Sequence, residues 1–490
     1  MIKRENRQTY HLKACLVGLD IGTSSVKGIL MTEKGEILSR QKKRIYYEYP
    51  REGWVQFDGE QLYKSIVEVI SSLVSDLPER SYIAGLSMAA ASGNTMLIND
   101  RNEPLIPAIS WLDARVGNEI ELVFGKLEEI EVHEKTGWPF IPMFPLAHIS
   151  WLKYHKPELL ETAAKVCMSS DYINFRLTGS WGIDSSTATT FYLQDQKTAE
   201  WHLPFLQKLK IPADKLPPIF SPGTILGTIT SDASAETGLD AGTPVVLGAF
   251  DHPSAARGTG IMEEGTLLLS CGTSWVGFFP IKDRAKAIGL NLLADPFLQP
   301  EGAWGAMFSL PAIAAKVDRY IHRYISKSPD HYLEFSEFSN TSSPGAGGLI
   351  INPLYDEDLD ILDGYASADI ARAVMEGTVF LLKEKLDTLE DDGLHFSSIV
   401  MVGGPSETHP WPQIVSDVLG KEIDIINGSS AGAAGAAILA GVGVGIYEDE
   451  RDALNKTSFL KQTRIPDQAA HEFYKEHYLQ FKRKYNKVAR

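Results

Sequence analysis

Cysteine is scarce. Cys15, Cys167 and Cys271 are the three in 490 residues. The number is odd and no CxxC occurs, so neither a disulfide framework nor a zinc ribbon can be built. A reducing cytoplasm is the expected location. The sequence has no GxxxxGK[ST], which excludes a P-loop enzyme, and no well-placed GxGxxG to support a dinucleotide fold. HExxH is missing too: His133-Glu134 has no second His four residues after the first, and the 12 His are scattered. Positive charge is in deficit, 47 basic against 63 acidic residues, for a net −16. Such a surface repels phosphate backbones and excludes non-specific nucleic-acid binding, but not one small anion held by backbone N–H groups. Strongly apolar runs of ~20 residues are also lacking. Ser430–Tyr447 is long and uncharged, with GxxxG at Gly441 and Gly445, but its Ala and Gly drive membrane insertion weakly. It reads as a buried, closely packed helix. The basic start, MIKRENRQTYHLKA, has no apolar core or cleavage site and is no secretory signal.

What is present is ordinary globular material, 44% hydrophobic and 22% charged, enough for about three domains or two large ones. The pattern is α/β. ACLVGLDI (14–21), a GTSS turn, VKGILM and ILSRQKKRIYYEY read as a β-meander. Residues 58–76 have helical period with Asp58 as N-cap. Between 116 and 165 the pattern is helical, broken by TGWPFIPMFP. VVLGAF (245–250) is a buried strand that stops at Asp251. A second meander, TLLLS-CGTS-WVGFFP, begins after Gly265. Helices follow near 311–325 and 368–392, then the strand SSIVMVGG (397–404) and an amphipathic helix over 467–488. The two meanders look like two copies of one domain type, with a boundary near 253–262.

Four constellations carry candidate chemistry. In Asp20-Ile-Gly22-Thr23-Ser24-Ser25-Val-Lys27 a tight turn aims amides and hydroxyls at one point, which suits phosphate oxygens. Asp20 there could hold a hydrated Mg²⁺; an ordinary hairpin with a capping Asp would read the same. Ser270-Cys-Gly272-Thr273-Ser-Trp275 repeats the device, and two such turns could clamp a polyphosphate. Cys271 has no paired His nearby and reads as packing. Asp251, at a strand end before His252, is either a proton acceptor for a hydroxyl or an N-cap. Gly403-Gly404-Pro405-Ser406 either lies against an adenosine or is a simple turn. A competing motif is Gly428-Ser-Ser430-Ala-Gly432, which fits GxSxG between a strand-like segment and a helix. It makes a serine hydrolase using Ser430 the alternative of a different class, although only His471 and His477 follow it and no HGGG-type segment precedes it.

Together these residues resemble the FGGY family of carbohydrate kinases over nearly the whole chain. LDIGTSSVKG (19–28) is similar to the family's first phosphate loop, GWVQFD (53–58) to its G-W-V-E-Q-D segment, and SWLDARV (110–116) to its W-x-D-Q-R substrate motif. SSDYINFRLTG (169–179), DSSTATTFY (184–192), ADIARAVMEGTVFLLKE (368–384) and VGGPSETHPWPQIVSDVLG (402–420) follow in the family's order. The resemblance implies two actin-like, ribonuclease-H-like domains flanking a deep catalytic cleft. Residues 1–255 would carry the sugar site, first phosphate loop and base, and 256–490 the second phosphate loop and adenosine site. ATP and Mg²⁺ would be the cofactors and a small sugar the partner, with no nucleic acid or membrane; homodimer formation stays open. Asp20 would be the Mg²⁺ carboxylate. Gly22, Thr23, Ser24, Ser25 and Lys27 would face phosphate, as would Gly272 and Thr273. Gly403, Gly404 and Ser406 would line the adenosine site, and Asp251 would be the base. Asp113 and Arg115 fall in the sugar-side motif.

The departures lie on the substrate side. Where xylulose kinases carry Q-M-H-G, this chain has Ala91-Ser92-Gly93-Asn94, so the usual sugar-binding His is Gly93. That change either enlarges the pocket or abandons a hydroxyl contact, which Ser92, Asn94 or His252 would replace. Ala114 stands for the motif's Gln and Pro405 for a third glycine. NPLYDEDLDILD (352–363) replaces a G-E-R-x-P loop, and its acidity argues mildly against an anionic substrate. A ketopentose such as xylulose is the expected substrate, with gluconate or another sugar acid or polyol as the alternative.

Overall fold

An almost unbroken apolar run makes Lys13–Ile21 (β1) a strand buried on both faces. In the computed structural model, which describes residues 12–457 and 459–485, it is central to a six-stranded sheet. The other strands are Ser25–Thr32 (β2), Ile37–Arg44 (β3), Ser81–Ala90 (β4), Ile225–Thr228 (β5) and Pro244–Phe250 (β6). Their order is β5-β6-β4-β1-β2-β3. β1–β3 form the expected antiparallel meander, and β1, β4 and β6 run parallel. The expected Asp58 cap is in place: its carboxylate accepts from Glu60 N and Gln61 N at the start of helix Gly59–Ser75. That helix buries Leu62, Ile66, Val69, Ile70 and Leu73 against the meander, the spacing of one helical stripe. The residues before 12 and after 485, including the basic start and the end of the helix expected over 467–488, lie outside the described residues.

The chain divides into two compact units, Met1–Gly258 with Gly432–Ser458, and Thr259–Ala431 with Phe459–Arg490. This differs from contiguous halves 1–255 and 256–490 by one segment, and the reason is close packing. The Gly/Ala helix Ala431–Gly443 packs against β1 of the first unit: a Cβ on Gly18 would lie 1.9 Å from the Ala433 carbonyl oxygen. It also touches helix Asp251–Thr259, where a Cβ on Gly435 would lie 1.8 Å from the Ser254 carbonyl oxygen. Ser254 Oγ donates to Gly432 O at 2.9 Å. Among the described residues no helix is long and apolar enough to cross a membrane.

The second unit's sheet comprises Thr266–Cys271 (β7), Trp275–Ile281 (β8), Leu293–Asp295 (β9), Trp304–Leu310 (β10), Ser398–Gly403 (β11), Ile423–Ile426 (β12) and Lys461–Arg464 (β13). The order is β9-β10-β8-β7-β11-β12-β13, with β7, β11 and β12 parallel. Helix Ser367–Asp391 buries Glu376, which accepts from Arg372 Nε at 2.8 Å, Tyr474 Oη at 2.6 Å and Gly345 N at 3.0 Å. All three bonds fall on Oε1; Oε2 is buried without a hydrogen-bond partner among the described residues.

Candidate active site

The parallel register sets the first unit's chemistry at one end of its sheet. Asp20 pairs with Ala89 of β4, and Phe250, just before Asp251, pairs with Ala90. The two carboxylates therefore flank the carboxyl end of β4, where open α/β sheets bind ligands. Asp20 and Lys27 are direct cross-strand partners, with Nζ 3.7 Å from Oδ2. Burial pushes the Asp20 carboxyl up from its ordinary value; Lys27 opposes the shift and Asp251 adds to it. Asp251 is raised as well, chiefly by burial, against the pull of His252. It starts helix Asp251–Thr259, and its Oδ1 accepts from His252 N at 2.8 Å. The turn closes through Gly22 N to Ser25 O at 3.0 Å, leaving the Thr23–Ser24 tip out of the core and Ser25 buried.

The sugar-side residues are more occupied than their sequence suggested. Asp113 is fully buried and its four acceptor positions are filled. Oδ1 accepts from Arg115 N and Nε, each at 2.8 Å, and Oδ2 from Val55 N at 2.6 Å and an Arg115 Nη at 2.8 Å. The Arg115 guanidinium lies 4.0 Å over the Trp54 ring. The pair is a rigid bracket. Asn94 is likewise bound on both ends of its amide, Nδ2 to Ser169 Oγ at 3.0 Å and Oδ1 from Ser169 N at 2.8 Å. Gly93 has φ +90°, and a Cβ there would fall 2.3 Å from Phe144 Cδ1. Phe144 fills the space that a larger residue would need, so of the two consequences foreseen for Gly93 the enlarged pocket is not found. Phe144 belongs to an aromatic cluster with Trp138 and Tyr192, and Trp138 continues it to Phe250, which precedes Asp251. Ser92 Oγ is buried with no hydrogen-bond partner among the described residues. A small cavity lined by Gly22, Ala91, Asn94, Trp111 and Ser169 joins the turn to this side.

Sequence reasoning missed His148. It lies in helix Pro145–His155, fully buried, with Nδ1 3.0 Å from Thr95 Oγ1 and Nε2 without a partner among the described residues. Burial lowers its pKa to about 3, which keeps it neutral. Nothing in PLAHISWLKYH distinguishes this His from a packing residue.

In the second unit, Cys271 pairs with Gly403 in the β7–β11 ladder, so the second turn and the Gly403-Gly404 turn share a sheet end. Gly403 has φ +94°, and a Cβ there would lie 2.2 Å from Cys271 O; a Cβ on Gly404 would meet nothing within 4 Å. One glycine is required by close approach and the other leaves a flat, open surface. Gly272 and Thr273 are exposed at their turn, which closes through Gly272 N to Ser274 O at 3.1 Å. Ser406 is buried and its Oγ donates to Gly403 O at 2.7 Å, closing the turn. Cys271 is buried and free, as packing requires. Ser430 ends a short 3₁₀ turn, Gly428–Ser430. Neither expected triad His is turned to it: His471 Nδ1 bonds the Asp417 carbonyl, and His477 lies beside Glu376. The GxSxG match is a helix start.

The profile of the FGGY family of carbohydrate kinases matches residues 15–258 by its N-terminal domain and 314–444 by its C-terminal domain. The chain belongs to this family. It is a carbohydrate kinase, and FGGY kinases use ATP with Mg²⁺. The kinase is 25% identical over 493 residues to the xylulose kinase of Escherichia coli (strain K12), covering 96% of this chain and 99% of that one. It is 26% identical over 499 residues to the autoinducer-2 kinase of the same strain, covering 95% and 92%. The crystal structure of gluconate kinase from Lactobacillus acidophilus superposes with a TM-score of 0.82 at 21% identity, covering 97% and 98%. The FGGY kinases' actin-like, ribonuclease-H-like architecture is thus the fold of this chain. The Asp20 surroundings suit the family's Mg²⁺: hard carboxylate oxygens are present, and a Cβ on Gly432 would sit 3.0 Å from Asp20 Cγ, so glycine keeps that approach open.

Proposed function

We propose that this kinase phosphorylates a hydroxyl of a ketopentose such as xylulose, with Asp251 as general base. The observation that carries the reading is the half-buried Asp251 carboxylate at the strand end, beside Asp20 and the turn of Gly22–Ser25. Its raised proton affinity suits removal of a hydroxyl proton as the oxygen attacks the γ-phosphorus. Phosphoryl transfer asks mostly for positioning and charge neutralisation. Asp20 would hold Mg²⁺, which neutralises phosphate charge when bound. Thr23, Ser24, Ser25 and Lys27, on the turn that the Gly22 amide closes, are proposed to hold phosphate, with Gly272 and Thr273; Gly403 and Gly404 would contact adenosine. Ser406 acts through the turn it closes. Asp113 and Arg115 shape the sugar side as a bracket, Asn94 fixes Ser169, and Ser92 and His252 are the proposed sugar contacts. His148 Nε2 joins them as a buried, unpaired polar atom.

A neutral sugar is favoured because Arg115, the cation of the sugar-side motif, is spent on Asp113. The acidic stretch 356–363 no longer enters the choice: Asp356 pairs with Lys316 and Arg319, Asp360 with Arg323, and Asp358 with Lys484. The relatives named for xylulose support the same class. Three free, buried cysteines fit a cytoplasmic location. The test is ADP release from Mg-ATP, coupled to NADH oxidation, over ketopentoses, aldonic acids, deoxy sugars, polyols and autoinducer-2. The highest kcat/KM is expected for xylulose. A sugar acid, polyol or autoinducer-2 turned over faster would replace it, and no turnover with any sugar would remove the assignment of Asp251.

A further inference from the structure

A second cluster of metal-ligating groups lies in the second unit, on residues with no role in the chemistry above. Asp318 and His322 are one turn apart on helix Ile313–Tyr324, and His331 opens helix His331–Asn340. One ligand atom from each lies within 4.8 Å of the others. The two imidazoles approach with centroids 4.8 Å apart. Each ring has its Nδ1 bound to a backbone carbonyl: His322 to Asp318 O at 2.8 Å and His331 to Ser328 O at 2.9 Å. A carbonyl only accepts, so each ring carries a proton on Nδ1, which leaves Nε2 as its metal-binding position. This is the outer-sphere arrangement that orients metal-bound histidines. A further observation points the same way. Asp318 Oδ1 is buried, 3.5 Å from His331 Nε2, and has no hydrogen-bond partner among the described residues. The two Nε2 atoms and one carboxylate oxygen thus converge on one point. The loop between the helices is braced as well: Glu334 holds the Ser326 and Ser328 hydroxyls, and Asp330 N donates to Ser328 Oγ at 3.1 Å.

We infer that Asp318, His322 and His331 form a binding site for a borderline-soft divalent ion of the Zn²⁺ class, completed by water. Imidazole nitrogen selects Zn²⁺, Co²⁺ or Ni²⁺ over Mg²⁺, which prefers oxygen. The ion would tie helix Ile313–Tyr324 to its neighbour. The start of that helix braces the second turn, with Ala312 N donating to Ser274 Oγ at 3.1 Å and Ala314 N to Thr273 O at 3.2 Å.

The test is calorimetric titration of Zn²⁺ into metal-stripped full-length kinase in excess Mg²⁺, alongside His322→Gln, His331→Gln and Asp20→Asn. His322 is exposed and His331 half-buried, so both changes should leave the fold intact by circular dichroism. One equivalent is expected in wild type and in Asp20→Asn. Affinity should fall in either His variant by more than the ~10–100-fold that losing an outer-sphere partner costs. Co²⁺ should give visible ligand-field bands in wild type that both His variants lack. Equal Zn²⁺ binding in wild type and the His variants would overturn the site, as would loss of binding in Asp20→Asn alone.

Discussion

The two strand–turn–strand devices share a backbone plan and differ in charge. In the first, β1 and β2 bring Asp20 and Lys27 face to face at the turn, and a second carboxylate, Asp251, stands beside them. In the second, β7 and β8 meet around Cys271, Gly272 and Thr273 with no ionisable side chain but a buried thiol, and helix Ile313–Tyr324 braces the tip through backbone groups. An anion can be held by amides and hydroxyls in either place. Handling a cation and a proton needs carboxylates, and of the two turns only the first carries them. Burial raises the proton affinity of both Asp20 and Asp251, which makes the first turn the pH-sensitive one and the second indifferent.

The sharpest way to break this contrast is Asp251→Asn. It should lower kcat by ~10²–10⁴-fold with ATP and sugar binding retained, read by steady-state kinetics and calorimetry; near-normal turnover would remove Asp251 from its role. In wild type, kcat/KM should fall on acidification with a midpoint above 3.8, the ordinary value for an aspartate, because the base must be deprotonated. Next is a matched pair in the second unit. Gly403→Ala forces an L side chain to φ +94° against the Cys271 carbonyl and should cost at least about 1–3 kcal/mol in urea unfolding. Gly404→Ala, facing open space, should leave stability unchanged. A smaller effect separates the turns themselves. Thr273→Ala removes one hydrogen bond to a charged group, about 1.5 kcal/mol or roughly tenfold in the KM for ATP, with the Mg²⁺ requirement unaltered. Asp20→Asn should instead raise the Mg²⁺ concentration needed for half-maximal rate. A last effect concerns stability alone. Burial pushes Asp171, which caps helix Ser169–Thr178, up to about 8 from 3.8. Between those pH values the folded chain keeps a proton that the unfolded chain has released, so stability falls as pH rises through the window. Asp171→Asn should flatten that slope in thermal unfolding.

Much of the architecture was legible because it is written in local signals. Asp58 announces its helix by chemistry two and three residues away, and the meanders announce themselves by apolar runs broken at small-residue turns. The destination of the Gly/Ala helix was not legible. Its composition says that something packs closely, but the partners, Gly18 and Ser254, are far away in sequence. At Asp113 and Arg115 the motif was legible and its occupancy was not. Whether Asp113 is free or filled depends on the backbone amide of Val55, and the room at Gly93 depends on where Phe144 falls. His148 carries no local mark at all; only burial distinguishes it.

The return of Gly432–Ser458 to the first unit sets an order of events during synthesis. At ~5–20 residues per second, the roughly 170 residues between Gly258 and Gly432 keep the ribosome occupied for roughly ten to thirty-five seconds. Throughout that interval the face of β1 around Gly18 has no helix to cover it. The nascent first unit must therefore wait, with its central strand exposed on one side, for a piece of chain made only after most of the second unit has emerged.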